Sequence, residues 1–234
     1  MYNYIDFLNK QLYNHNREME RKTLKMSSVI MIKCSDGIVC GADSQETIFY
    51  NGPDAFVLKP GANDVDKVHL NDNLIVGIYG NSDITVEDEV DEIIRIETKD
   101  IIEIVKSVLE TANTPSDFLN CIKNQLPYSY SHPEFSFFLG FKENDEYKIA
   151  KGILKQKQLT VKTEVILEIQ NKKNRILSCD GYYCFVNPII ERDITCEEAE
   201  ILIKEMITYS KNIQKKTMNV QTIDGEIKIK QLKK

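Results

Sequence analysis

"SSVIMIKCSDGIVCGADSQ", residues 27–45, is the stretch that decides the fold. Two short apolar runs, residues 29–34 and 38–42, flank a Ser-Asp-Gly turn at residues 35–37, where glycine tolerates a positive φ. The pattern predicts an antiparallel β-hairpin. Asp43 directly follows the second run in a context that looks buried, so we expect a carboxylate where the hairpin meets the core.

A second pair of strands is predicted downstream of this hairpin. Residues 46–63 are punctuated by glycine and proline and predict a loop. The runs Lys67–Leu70 and Leu74–Tyr79 follow, separated by an Asn-Asp-Asn turn, and the second run ends at Gly80. Both pairs of runs are apolar almost throughout rather than alternating, so we expect strands that are covered on both faces.

The rest of the chain predicts two helices, further strands, a third helix and a closing hairpin. Apolar residues at helical spacing, a Thr-Pro start and a capping box at Thr195 mark the three helices. The predicted segments are helices at about 84–110, 114–126 and 195–213, strands at 135–142, 147–154, 158–169 and 175–178, and a hairpin of residues 218–223 with 226–232.

This order of elements predicts an α+β fold. Hairpins make the sheets antiparallel, and sheets that are apolar on both faces need a second sheet on one side and helices on the other. We therefore predict a four-layer αββα sandwich, with two antiparallel sheets between helix layers, as a single domain over residues 27–234. Residues 1–26 show only a brief apolar stripe and are predicted to be an N-terminal extension or prosegment.

Composition argues against several functional classes. The net charge of −6 is spread along the chain, so we predict neither a nucleic-acid partner nor a membrane surface. No apolar stretch reaches the roughly 20 residues that span a bilayer. Six cysteines without CxxC spacing predict reduced core thiols in a cytoplasmic protein. Three widely separated histidines give no metal-ligand pattern, and we predict no cofactor and no metal.

Several blocks of the sequence resemble the proteasome β-type subunits and the HslV-like proteins, which are N-terminal nucleophile (Ntn) hydrolases. The blocks are residues 27–45, quoted above, NDVDKVHLNDNLIVGIYGNSD at 63–83, DITCEEAEILIKEMITYSKN at 193–212 and MNVQTIDGEIKI at 218–229. Together they extend over essentially all of residues 27–234. The resemblance implies the Ntn hydrolase fold and a peptidase of the threonine or serine type.

The resemblance also implies four catalytic positions. They are the nucleophile Ser27, the carboxylate Asp43, the cation Lys67 and Gly80, whose amide would face the developing oxyanion. A free α-amine on Ser27 would take the proton from its hydroxyl, and the ammonium of Lys67 would disfavour protonation of that amine. Asp43 would hold Lys67 charged and oriented.

A second lysine competes for the cationic role. Direct counting from Ser27 at the spacing of the family reaches Lys59, whereas Lys67 requires an insertion in the preceding loop. Lys59 lies in a sequence that predicts a loop, and a lysine on a mobile loop would not tune the pKa of a neighbour reliably. Lys67 is therefore preferred.

Three features depart from the pattern of the family. Serine replaces the nucleophilic threonine, and Met26 precedes it where self-processing members carry glycine, which suits the bent peptide of autolysis. Accessory groups of the family are replaced by Lys211 and Gln214 near the late helix and by Asp180 after the middle strands.

The departures leave alternatives open. If translation starts at Met26, removal of that methionine exposes Ser27; if residues 1–26 are retained, they block the amine. The leading prediction is a peptidase that cleaves peptides or unfolded proteins through an acyl-Ser27 intermediate in a homo-oligomeric ring, whose ATPase partner the sequence does not indicate. The alternatives are a catalytically inactive proteasome-fold subunit with an assembly or scaffold role, and a small-molecule Ntn amidase.

Overall fold

The computed structural model describes residues 28–51, 56–80, 83–90, 93–125, 129–130, 135–156, 163–169, 175–180 and 190–233. Its side chains are described over residues 28–47, 60–80, 100–125, 136–152, 175–178 and 190–233.

Fourteen strands and three helices lie in the described ranges. The helices are α1 (Ile101–Leu109), α2 (Pro115–Gln125) and α3 (Cys196–Thr217). The strands are β1 (Ser28–Lys33), β2 (Gly37–Asp43), β3 (Thr47–Asn51), β4 (Phe56–Pro60), β5 (Val68–Leu70), β6 (Leu74–Gly80), β7 (Asp83–Val90), β8 (Ile93–Asp100), β9 (Ser129–Tyr130), β10 (Phe135–Glu143), β11 (Glu146–Gln156), β12 (Thr163–Ile169), β13 (Ile176–Asp180) and β14 (Ile227–Lys233).

The predicted hairpin at residues 27–45 is the centre of the first sheet, whose strand order is β13-β1-β2-β14. Strands β1 and β2 are antiparallel, with Lys33 opposite Ile38, and the amide of Cys34 donates to the carbonyl of Gly37 across the turn. The second sheet has the order β12-β11-β10-β6-β5 and is also antiparallel. Strands β3 and β4 form a separate hairpin, and β8, β7 and β9 form a small third sheet.

Three hydrophobic clusters pack the two large sheets and the helices together. Neighbouring residues of β1 point to opposite faces, so Ile30 and Met31 belong to different clusters. Helix α3 packs on the first sheet through Ile30, Ile32, Val39, Ala199, Ile203 and Ile207. The two sheets face each other through Val29, Met31, Ile38, Cys40, Ile75 and Phe138. Helices α1 and α2 pack on the second sheet through Leu74, Val76, Ile101, Val105, Phe118 and Phe137.

The described protein is thus an α+β protein with antiparallel sheets, which confirms the predicted class and is compatible with a sandwich. Among the described helices, none is both long and apolar enough to cross a membrane. The four cysteines with described side chains are free thiols, of which Cys34, Cys40 and Cys196 are buried and Cys121 is partly exposed.

The predicted long helix at 84–110 is wrong over most of its length. Residues 83–90 and 93–100 are the antiparallel strands β7 and β8, and only Ile101–Leu109 is helical. The segment is rich in β-branched residues, and parts of it, such as Ile84 with Val86 and Ile94 with Ile96, also fit a period of two. Helix α1 begins where Asp100 caps it, since the Asp100 carboxylate accepts from the amide of Ile102 at 2.7 Å.

The predicted loop at 46–63 is also wrong, because β3 and β4 pair from Thr47 opposite Pro60 to Asn51 opposite Phe56. The glycine and proline at residues 52–53, on which that prediction partly rested, lie outside the described residues.

The prediction of the closing hairpin is correct for one of its two strands. Strand β14 forms and pairs with β2, but residues 218–223 are not a strand. The side chain of Gln214 accepts hydrogen bonds from the amides of Thr222 and Ile223 at 2.9 and 3.0 Å. Helix α3 therefore supplies, through Gln214, the acceptors that a neighbouring strand would have supplied to these amides.

Candidate active site

A buried carboxylate lies at the end of β2. Asp43 is fully excluded from solvent, and its Oδ1 atom accepts from the backbone amide of Ser28 at 2.8 Å. This contact ties the first residue of β1 to the last residue of β2, because the antiparallel hairpin brings the two ends side by side. A carboxylate at this position therefore lies at the N-terminal end of the described chain.

Lys67 provides the positive charge that this carboxylate requires. Its Nζ atom lies 2.9 Å from Asp43 Oδ1 and donates to the carbonyl of Gln45 at 2.6 Å. The Lys67 side chain is only 3% exposed, so the ion pair is shielded from water and from salt. Lys67 directly precedes β5, which aims the ammonium from the edge of the second sheet toward the end of β2.

The second oxygen of Asp43 is held by backbone amides. Oδ2 accepts from the amide of Gln45 at 3.1 Å and from the amide of Asp224 at 3.4 Å. The Gln45 amide also donates to the carbonyl of Asp224 at 3.1 Å. Gln45 and the turn before β14 therefore meet at the carboxylate of Asp43.

Two influences on the pKa of Asp43 oppose each other. Burial raises the pKa of the Asp43 carboxyl above its ordinary value, whereas Lys67 and the amides of Ser28 and Gln45 act to lower it. Its two oxygens face N–H donors and an ammonium, which suits an ionised carboxylate because a carboxylic acid would need an acceptor for its own proton.

Gly80 lies at the end of β6, close to the same region. The amide of Ile78 donates to the carbonyl of Lys67 at 2.8 Å, so β6 is hydrogen-bonded to the segment that carries the lysine. Gly80 follows two residues later, about 7 Å along the strand. Its φ of +87° is in the region that strongly favours glycine.

Ser27 lies outside the described residues, as do residues 1–26. The structure therefore describes three of the four predicted positions and brings two of them, Asp43 and Lys67, into direct contact. The competing Lys59 lies on β4 rather than in a loop, which corrects the reason given against it; its side chain lies outside the described ranges.

Three further residues that the resemblance singles out, Asp180, Lys211 and Gln214, lie in described elements around this site. Asp180 is opposite Ser28 in the register of β13 with β1, although its side chain lies outside the described ranges. Lys211 binds the turn before β14, and Gln214 is buried and binds Thr222 and Ile223. Lys211 and Gln214 thus both bind the segment before β14, in which the amide of Asp224 donates to Asp43.

Sequence reasoning missed the contribution of this turn. The sequence predicts Asp224-Gly225 only as the bend of a hairpin, and nothing local in the sequence indicates a contact with Asp43, which lies 181 positions away. The one available signal was the Asp-Gly pair itself, which marks a turn but not its neighbours.

No group of three or more histidine, cysteine, aspartate or glutamate side chains among the described residues could hold a metal ion. No family model matches the chain. A search of the curated proteins finds no similar sequence.

Proposed function

We infer that the chain is an Ntn hydrolase of the proteasome β type, in which Ser27 is the N-terminal nucleophile of a peptidase. The observation that carries this proposal is the buried Asp43–Lys67 ion pair, whose carboxylate also binds the amide of Ser28. That amide belongs to the peptide bond that follows Ser27 in the chain. A protein starting at Ser27 would therefore begin one residue before Ser28, whose amide binds Asp43.

The electrostatics of the pair suit this chemistry. An ammonium held by a buried carboxylate disfavours a second positive charge nearby, so a neighbouring α-amine would stay unprotonated and could act as a base. The amine would take the proton of the Ser27 hydroxyl while the oxygen attacks the substrate carbonyl. The protonated α-amine would then give this proton to the nitrogen of the cleaved peptide bond, which departs as an amine. Water would finally hydrolyse the acyl-Ser27 ester.

Gly80 supports the proposal as a candidate oxyanion donor. Gly80 is the last residue of β6, it has a positive φ, and β6 is hydrogen-bonded to Lys67 two residues before it. A backbone amide aimed at a developing oxyanion is typically worth about 3–4 kcal/mol of transition-state stabilisation.

The packing supports the four-layer architecture that this class requires. The three hydrophobic clusters connect α3 to the first sheet, the first sheet to the second, and the second sheet to α1 and α2. We propose that these are the layers of an αββα sandwich, and that subunits assemble into a homo-oligomeric ring that confines the peptidase sites.

A catalytically inactive subunit of the same fold is the second candidate. It is favoured by Met26 before Ser27 and by Lys211 and Gln214 at accessory positions. In such a protein residues 1–26 stay attached, and the Asp43–Lys67 pair serves only the stability of the fold.

The test combines intact mass with a covalent probe. Protein from its native host is treated with a peptide epoxyketone, which needs both a hydroxyl and a free amine on the same residue. We expect an adduct on Ser27 and a mature chain that begins there. Ser27→Ala should abolish the adduct, whereas Ser28→Ala, a matched control that keeps the backbone amide bound by Asp43, should retain it. A chain that still begins at Met1 and forms no adduct would overturn the peptidase and support the inactive subunit.

A further inference from the structure

We propose that Lys211 is a positioning residue, which holds the turn at Asp224 and Gly225 against the Asp43–Lys67 pair and thereby keeps the pair in its catalytic arrangement. The inference rests on the proposed function, because it concerns the same site. Lys211 acts on the pair through the turn.

Lys211 clamps the turn with two contacts. From the C-terminal half of α3, its Nζ atom donates to the carbonyl of Gly225 at 2.6 Å and lies 3.1 Å from Asp224 Oδ1. The Lys211 side chain is 17% exposed, so the ion pair is screened less than one on the open surface.

Hydrogen bonds continue from the turn to the lysine of the site. The Asp224 amide donates to Asp43 Oδ2 at 3.4 Å, and the Asp224 carbonyl accepts from the amide of Gln45 at 3.1 Å. The carbonyl of Gln45 in turn accepts from Lys67 Nζ at 2.6 Å. Lys211 and Lys67 are thus connected through Asp224 and Gln45.

The turn fits closely against the chain that follows Asp43. Gly225 has a φ of +72°, and a Cβ atom on it would lie 2.3 Å from Ser44 Oγ and 2.6 Å from the carbonyl of Asn63. The next amide, that of Glu226, donates to Ser44 Oγ at 2.8 Å. Because the fit is so close, a shift of the turn would be transmitted to Ser44 and Gln45.

Charge explains why a lysine is needed at this position. The backbone amide of Asp224 binds the carboxylate of Asp43. The side chain of Asp224 is a second carboxylate in the same turn. Lys211 compensates the charge of the Asp224 side chain. Without that compensation the two carboxylates repel each other, which favours movement of the turn away from Asp43.

Two variants of the full chain test the inference. Lys211→Met keeps the length of the side chain but removes its charge and donors. Lys204→Met is the matched control, because Lys204 is on the same helix and pairs with Glu200 at 2.6 Å, on an exposed surface. Amide hydrogen exchange is measured for Ser28 and Gln45, which bind Asp43, and for Val76 within the second sheet.

We expect exchange at Ser28 and Gln45 to become about tenfold faster in Lys211→Met, with Val76 unchanged and no change in Lys204→Met. Epoxyketone labelling of Ser27 should slow by about tenfold or more in Lys211→Met without weaker reversible binding of the probe, because small displacements of catalytic groups slow the chemical step. Unchanged exchange at Ser28 and Gln45 overturns the inference, whether or not the wild-type chain labels. If amide exchange at Ser28 and Gln45 becomes faster in Lys211→Met but the epoxyketone never labels the wild-type chain, the proposed function fails. The coupling of Lys211 to the Asp43–Lys67 pair would then still hold.

Discussion

Lys67 Nζ lies 2.9 Å from Asp43 Oδ1, although both side chains are almost completely excluded from solvent. Two charges removed from water have a large desolvation cost, which only close geometry and further hydrogen bonds offset. Here the carboxylate also binds the amides of Ser28 and Gln45, and the ammonium also binds the carbonyl of Gln45. The pair is thus integrated into the backbone at the point where the two large sheets meet.

Removal of one member of the pair should be strongly destabilising. We expect Lys67→Met to lower the free energy of unfolding by about 3–5 kcal/mol, because it leaves the Asp43 carboxylate buried without its counterion. Combining it with Asp43→Asn should cost less than the sum of the single changes by about 1 kcal/mol or more. Urea unfolding measures all three variants.

Lys106→Met is the control for this cycle. Lys106 pairs with Glu103 at 2.5 Å on the exposed face of α1, and its loss should cost less than about 1 kcal/mol. Strict additivity of the Asp43 and Lys67 changes would show that the two residues do not interact.

Stability should rise with pH just below the ordinary pKa of histidine. His69 is 5% exposed, and burial lowers its pKa from 6.5, opposed by Asp66 and reinforced by Lys230 and Lys106. The unfolded chain therefore binds a proton that the folded chain resists, so the stabilising contribution is complete above pH 6.5 and is lost as the pH falls toward the folded pKa.

The readout is the difference in unfolding free energy between pH 7.5 and pH 5.5. His69 Nε2 lies 2.8 Å from the carbonyl of Asp66, so His69→Gln can keep a donor near that carbonyl without titrating in this window. We expect the variant to flatten the pH dependence. If the unfolding free energy of His69→Gln changes with pH as much as that of the wild type, the pH dependence comes from other groups.

Gly225→Ala should be markedly destabilising. The added Cβ would collide with Ser44 Oγ and with a backbone carbonyl, and the φ of +72° is unfavourable for any side chain. We expect a loss of about 2 kcal/mol or more in chemical denaturation. Gly61→Ala is the control, because the three atoms nearest to its Cβ all belong to the side chain of Glu46, which can move, and Gly61 has no positive φ. Equal losses at both positions would contradict the fit of the turn.

Gln214→Leu should leave buried amides without an acceptor. Gln214 is 2% exposed and accepts from the amides of Thr222 and Ile223, so we expect a loss of about 2 kcal/mol or more. Asn212→Leu, at an exposed position of the same helix, should stay within about 0.5 kcal/mol of the wild type. Similar unfolding curves for both variants would argue against the role assigned to Gln214.

The cysteines should differ in their reactivity toward iodoacetamide. Burial raises the pKa of Cys34 to about 11, so at pH 8 only about one such thiol in a thousand is ionised. Burial also raises the pKa of Cys40. Cys121 is partly exposed, so we expect it to react before Cys34 and Cys40 in peptide mapping of native protein. Comparable rates at the three positions would contradict the described burial.

Local sequence signals predicted several elements correctly. The Ser-Asp-Gly turn of residues 35–37 joins β1 and β2, and the capping box at Thr195 begins α3, with Thr195 and Glu198 binding each other's backbone amides. These signals succeed because a turn or a cap depends on residues within three or four positions. The error at residues 83–100 has the opposite cause, since β-branched segments can satisfy more than one period and tertiary pairing decides between them.

By itself, the sequence determined the alternation of strands and helices, the central hairpin and the presence of a carboxylate and a lysine beside apolar runs. Only the tertiary structure decided that the ammonium of Lys67 meets Asp43, that Asp224 binds the same carboxylate, and that α3 replaces a strand through Gln214. The physical reason is that these contacts join elements remote in the chain. They form only once the two sheets, α3 and the last turn have packed against one another, and no local pattern encodes that packing.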